Sequence, residues 1–209
     1  MSEPDWLAWA REIQATAQTG LAFTSDPFDA QRYQSLHDLA ARILQTHTGA
    51  PMQHIENLIN GEAGYATPKV GVRAAVFDQE GRILMVRETS DNGAWSLPGG
   101  WADVNQTLSF SAEREVREET GYIVRATKLA AAWDRTTQGH PPAAFSICKF
   151  FFLCTLEGGT PTTSLETSEI AWFAETNLPT DISIRRVLPR QIARMFAHQR
   201  DPALPTEFD

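Results

Sequence analysis

Cysteine is scarce in this chain: 209 residues hold two, Cys148 and Cys154. They stand six positions apart in the strand-like run FSICKFFFLCTL, which at about 3.3 Å per residue separates them by roughly 20 Å. That is beyond disulfide reach, so buried free thiols in a reducing compartment are expected. Long apolar runs are missing too. Lys149 interrupts the longest candidate, residues 143–156, and a spanning helix needs roughly 18 uninterrupted residues. The opening MSEPDW is acidic where a secretory leader would be basic, and a cytoplasmic location is expected. Positive charge is also short: 18 Lys and Arg face 26 Asp and Glu, a formal net charge of −8. That balance argues against a general grip on nucleic acid or on an anionic membrane, both of which need a positive field. Internal repeats and low-complexity tracts are absent. What is present is 42% hydrophobic and 21% charged, a mixture that excludes wholesale disorder. The length suits one medium domain, or one small domain with an appendage.

The charge is uneven. Residues 1–66 carry three Arg and eight acids, and hold most of the imbalance. The texture changes at the same place, which predicts a helical domain over 1–66 and a strand-rich domain over 67–209. A first helix is expected from Ser2 or Asp5 to Gly20, with Trp6, Trp9, Ile13 and Ala17 at helical spacing. A second starts at the Asp26-Pro27 cap, shows an apolar stripe of Tyr33, Leu36, Ala40 and Ile43, and ends near Gly49. A short third runs from Pro51 through Ile55, Leu58 and Ile59 to Gly61. So few large apolar residues make a marginal domain alone. The three helices are therefore expected to pack on the rest of the chain or on a second subunit, with a homodimer as the expected assembly.

From Lys69 the pattern becomes β. KVGVRAAVFD and RILMVRE, separated by QEG, read as a hairpin. Later strands are expected at Ile123–Asp134, Phe145–Glu157 and Ile170–Ala174, and helices at Thr107–Thr120, before Gly121, and at Leu188–His198. The fold class is α/β (α+β): a mixed sheet rather than a doubly wound parallel one. The segment ISIRRVLPRQIARMFAHQR carries five Arg and no acid, with Arg186, Arg190 and Arg194 recurring every four residues. It reads either as a solvated face or as a contact for the acidic N-terminal region, in the same chain or across a dimer.

The informative segment is GGWADVNQTLSFSAEREVREETGY, Gly99 to Tyr122. Glu115, Glu118 and Glu119 stand at i, i+3 and i+4, so all three carboxylates share an arc of about 100° on one helix face. Like charges that close destabilise an isolated helix and raise one another's pKa. One reading is a solvated acidic face stitched by Arg114–Glu118 and Glu113–Arg117 pairs. The other is a site for a hard cation such as Mg²⁺ or Mn²⁺, which in turn suits phosphate oxygens. The preceding Leu97-Pro98-Gly99-Gly100-Trp101 brings backbone without side chains beside the helix, and this favours the second.

The segment resembles the signature of the Nudix hydrolases: Gly, five residues, Glu, seven residues, then Arg-Glu-aliphatic-x-Glu-Glu-x-Gly-aliphatic. Gly100, Arg114, Glu115, Val116, Glu118, Glu119 and Gly121 fall in register; Gln106 replaces the first Glu and Tyr122 the last aliphatic residue. The resemblance implies a Nudix-type mixed sheet sandwiched between helices. A helical region ahead of it, GYATPKV at the junction, GGWADV in the box and LPTEFD at the end are similar to a subgroup with an extra N-terminal domain. That subgroup is associated with ADP-ribose or CDP-choline-like compounds.

The implied activity is divalent-metal-dependent hydrolysis of a nucleoside diphosphate linked to another moiety, by attack of water on phosphorus. Glu115, Glu118 and Glu119 are the implied ligands for Mg²⁺ or Mn²⁺, helped by the Gly99 or Gly100 carbonyl, with Arg114 supporting them. The general base is a box Glu or a loop acid, Glu166 or Glu169, of which Glu169 adjoins a strand. Arg73 and Arg87 are candidates for the diphosphate, since a cation on an apolar strand is expensive unless paired; an ion pair with an acid serves equally. Trp95 is a candidate for stacking on a base, with core packing as the alternative, and His140 for gating, with a plain turn as the alternative. Gln106 leaves Arg114 a neutral partner, so the rival function is a weakly active or inactive nucleotide-binding sensor.

Overall fold

The structure, a computed structural model, describes residues 3–209. It divides into two compact units: residues up to Pro68 with Pro142–Ser146, and Lys69–Pro141 with Ile147–Asp209.

The first unit holds α1 (Asp5–Phe23), α2 (Pro27–Thr48) and α3 (Met52–Ile59). The Ser2 start considered for α1 lies outside the described residues. Asp26 caps α2 by accepting from the Phe28 and Asp29 amides, with Pro27 opening the first turn. The core is Leu7, Ala10, Ala41, Leu44, Ile55 and Ile59. This corrects the two expected stripes. On α2 the buried residues are His37, Ala40, Ala41 and Leu44, one position round from the expected row, and on α1 Trp9 is 61% exposed while Leu7 and Ala10 face inward. Tryptophan and tyrosine are the larger side chains, yet small residues take part in the helix contacts. Gly20 shows why. It does not stop α1, because the Tyr33 ring of α2 lies where its β-carbon would be; the glycine permits a close helix crossing. Arg11 ties in Pro142–Ser146 by donating to the Ala143 and Phe145 carbonyls at 3.3 and 3.4 Å.

The second unit is a seven-stranded mixed sheet: β1 (Lys69–Phe77), β2 (Ile83–Glu88), β3 (Ala94–Ser96), β4 (Tyr122–Asp134), β5 (Ile147–Gly159), β6 (Thr167–Phe173) and β7 (Glu207–Phe208). The order is β3-β2-β1-β5-β4-β7, with β6 paired to β2; β1 runs parallel to β5 and β4 to β7. The hairpin closes at Phe77 and Ile83 as expected. Alternation along the strands makes two apolar faces. Val72, Ala74, Val76, Leu84 and Phe152 pack with Ala112 and Val116 of α4 (Leu108–Thr120). Ala75, Ile83, Met85, Trp133 and Phe151 pack with Ile192, Met195 and Phe196 of α5 (Pro189–Arg200). The short strands β3 and β7 escaped the sequence reading because two or three residues carry no period.

In the arginine row Arg190 and Arg194 are exposed, as the solvated-face reading expects, and Arg186 is half-buried. Arg186 lies ahead of α5 and bonds Ser90 and Glu88, Arg190 donates to the Gln138 carbonyl, and Arg194 pairs with Glu207. These cations are engaged within the sheet unit itself.

Candidate active site

α4 presents the acidic face. Thr107 caps it by accepting from the Phe110 amide at 3.2 Å, and Gly121 ends it in the left-handed conformation. The Leu97–Ala102 loop runs along β1: the Val72 amide donates to Gly100 and Ala74 to Pro98 at 2.9 Å, and Ala102 to Val70 at 3.0 Å. Backbone is thereby held against the carboxylates. The Gly99 amide donates to Glu119 at 3.0 Å, and a β-carbon on Gly100 would lie 2.6 Å from Glu115 Oε1. Only glycine leaves that space open.

Glu119 is buried, and burial pushes its pKa up to about 8; neighbouring Glu88 adds to the rise while Arg73 and the Gly99 amide oppose it. Burial likewise raises Glu115, against the pull of Arg114. Glu118 reaches solvent. Arg114 stands among them, donating to Glu115 at 2.9 Å, to Glu118 at 2.5 Å and to Gln106 at 3.1 Å, with Asp103 at 3.1 Å. Among the described residues no ready-made cage of three acidic, histidine or cysteine groups exists. The donor set nevertheless fits a hard divalent cation: three carboxylates on one face, two of them desolvated, beside a cradle that a β-carbon would fill. Gln106 meets Arg114 with a neutral hydrogen bond, and a charged partner would be about twice as strong. Gln106→Glu, melted with divalent cation present, is expected to gain about 1 kcal/mol, or about 2–4 °C in Tm. An unchanged Tm would show that the amide already serves fully.

The other candidates are dispersed. Arg73 on β1 is buried and donates to Leu97 O at 3.1 Å and to Gly99 O, so it holds the glycine loop from below. Arg87 is engaged by Gly93 O at 2.6 Å, Glu169 at 3.2 Å and Asp181 at 3.0 Å. Glu169 therefore lies within β6, ion-paired, rather than free on a loop. Glu166 is exposed, and its carbonyl accepts from the Thr89 amide. Trp95 is 5% exposed and meets Phe173 edge-on. It is a core side chain with the Arg87 guanidinium 5.6 Å from its ring, and stacking on a base does not match this placement. His140 turns its Nδ1 to Ile184 O at 2.7 Å.

Two further buried charged groups are not among the site residues expected from the sequence. Glu88 at the end of β2 is 1% exposed, pairs with Arg186 at 3.2 Å, and burial raises its pKa. Lys149 on β5 is 6% exposed and donates to the Arg185 and Arg186 carbonyls. Its signal was there: a cation inside an apolar strand, the same pattern that singled out Arg73.

Burial, then Arg73, Arg135 and Arg186, depress the Lys149 pKa to about 6 from 10.5. Between those values the unfolded chain holds a proton that the folded chain lacks, so stability rises with pH across the window. Below about pH 6 both states are protonated and the contribution is flat. Lys149→Met removes the group, and its stability should rise less steeply, by up to about 1.36 kcal/mol per pH unit. Denaturant midpoints measured from near-neutral to alkaline pH check this; parallel curves would refute it.

A family model described as the NUDIX domain matches residues 67–191, and one described as a UDP-X-like, N-terminal oligomerisation domain matches residues 4–59. The chain is 38% identical over 98% of its length to the putative ADP-ribose pyrophosphatase YjhB of Bacillus subtilis, covering 97% of that protein. A crystal structure of an ADP-ribose pyrophosphatase from Streptococcus suis aligns with a TM-score of 0.62 and 35% identity, over 68% of this chain and all of that one. A UDP-X diphosphatase crystal structure aligns over the whole of both chains, at a TM-score of 0.61 and 28% identity.

Proposed function

This chain belongs to the Nudix hydrolase family, and on that premise we propose that it cleaves the diphosphate of a nucleoside diphosphate linked to another moiety, with ADP-ribose the first substrate to test. The observation that carries this is the carboxylate face of Glu115, Glu118 and Glu119 held against the Gly99–Gly100 backbone. Relatives named as ADP-ribose pyrophosphatases support the substrate.

In this reading Glu115, Glu118 and Glu119 hold Mg²⁺ or Mn²⁺, helped by the Gly100 carbonyl. A divalent cation held by these residues would supply charge neutralisation for the diphosphate and would lower the pKa of a water. Arg114 orients two of those carboxylates, and Gln106 orients Arg114. Arg73 holds the loop that presents the Gly99 amide to Glu119. Glu169 is retained as candidate base, its carboxylate 3.2 Å from Arg87 at the edge of β6. The N-terminal helices, matched by an oligomerisation-domain model, are assigned to homodimer formation.

The test is a panel of nucleoside diphosphate derivatives, including ADP-ribose and CDP-choline, with Mg²⁺ or Mn²⁺. Mass spectrometry of products formed in ¹⁸O-water identifies the phosphorus attacked. Nucleoside monophosphate release supports the enzyme. Binding without turnover, unrestored by Gln106→Glu, supports the sensor reading that the neutral Gln106–Arg114 contact favours.

A further inference from the structure

The face of the sheet that packs on α5 carries a second concentration of charge, of the opposite sign. Arg73, Arg135, His140 and Lys149 are all at least nine-tenths buried there. The register explains the gathering. Gly71 pairs with Lys149 and Arg73 with Phe151, so Arg73 and Lys149 share a face two positions apart. Trp133 also pairs with Lys149, and Arg135 follows two residues on, its amide bonded to Ile147 O at 2.9 Å. Arg186 and Arg190 complete the cluster from the segment entering α5 and from α5 itself.

The charges acting on Lys149 are those of Arg73, Arg135 and Arg186; those on His140 are Lys149, Arg135 and Arg190. Two buried acids border the cluster: Glu88 pairs with Arg186 and acts on Arg73, and Glu119 accepts from the Gly99 amide and acts on Arg73 as well. His140 carries its own sign. A carbonyl only accepts, so the Nδ1 facing Ile184 O bears the hydrogen. Among the described residues the buried Nε2 has no hydrogen-bond partner, and such an atom requires an explanation. Protonated, it becomes a second donor.

We propose that Arg73, Arg135, His140, Lys149, Arg186 and Arg190 form a subsite for a phosphate-like anion beside the catalytic loop. Arg73 is the link, since its guanidinium also bonds Gly99 O. The inference rests on the hydrolase reading for its location beside the cleaved diphosphate. It also refines the substrate class: linked moieties with a further negative charge are favoured, and a quaternary ammonium such as choline is disfavoured. Burial and the surrounding cations hold Lys149 at about 6 and His140 at about 4. An anion favours their charged forms, so binding should take up protons.

The probe is inorganic phosphate, titrated calorimetrically into the full chain with chelator present, in two buffers of different ionisation enthalpy near neutral pH. Binding with net proton uptake is expected, at least tenfold weaker in Lys149→Met and in His140→Phe, and unchanged in Glu118→Gln. The His140 imidazole resonances of the wild type should shift on adding phosphate. Absence of both heat and shift in the wild type, or equal affinity in Lys149→Met, would overturn the proposal. With cation restored, phosphate competing with substrate assigns the subsite to a substrate group; non-competitive inhibition assigns it to a free anion. Hydrolysis without phosphate binding would sink this inference alone, while phosphate binding without hydrolysis of any substrate would sink the hydrolase reading and leave the subsite standing.

Discussion

Glu118→Gln is expected to lower kcat at least about 10³-fold while leaving Tm within a degree or two of the wild type. The two halves of this result have separate causes. Glu118 is half exposed, and its contact is the ion pair with Arg114 at 2.5 Å. A pair so open to solvent contributes about 0–1 kcal/mol to folding. Its proposed role in catalysis is worth more, because a ligand's charge supports the developing charge on phosphorus only through the cation it helps to hold. Losing about 4 kcal/mol of that support corresponds to about 10³ in rate. Steady-state kinetics at saturating Mg²⁺, together with Mn²⁺ titration of the variant, separate lost chemistry from lost affinity. A variant near wild type in rate would remove Glu118 from the ligand set.

Much of the sheet unit was legible in the sequence, and the reasons are physical. The hairpin at Phe77–Ile83, the Thr107 and Gly121 boundaries of α4 and the Pro189 start of α5 each rest on a local rule of backbone chemistry. The acidic face followed from 3.6 residues per turn, and α4 is helical throughout. Tertiary partners were the illegible part. Trp95 and Arg87 are neighbours across β2 and β3, a pairing that depended on a three-residue strand no pattern announces. Glu169 meets Arg87 from 82 residues away. Arg73 illustrates the limit: its oddity on an apolar strand was plain, but only the path of the glycine loop along β1 shows that its guanidinium meets two backbone carbonyls. In the helical unit, hydrophobic size misled, because Gly20 and the alanines make the contacts and Trp9 faces outward.

Gly99→Ala should lower both stability and activity. The backbone at Gly99 has φ of +146°, a region that is essentially glycine's own and costs other residues about 1–3 kcal/mol. There is no room either. An alanine β-carbon would overlap the Val72 carbonyl oxygen and stand 2.9 Å from the Arg73 α-carbon. Both are backbone, which cannot rotate away, and overpacking of this kind costs about 1–3 kcal/mol more. Relief requires lifting the loop from β1, where it is held by the Val72, Ala74 and Ala102 amide bonds. The combined loss, about 2–6 kcal/mol, predicts a fall in Tm of roughly 5 °C or more for a chain of this length. Activity should fall further than stability, since the same shift withdraws the Gly99 amide from Glu119 and moves Gly100 away from Glu115. Gly81→Ala is the control: its φ is also positive, at +74°, but nothing lies within 4 Å of the added carbon. It should show conformational strain alone, about 1 kcal/mol, with kcat unchanged. Equal Tm losses for the two variants would mean that the loop yields freely, and that β1 does not hold it against the carboxylates.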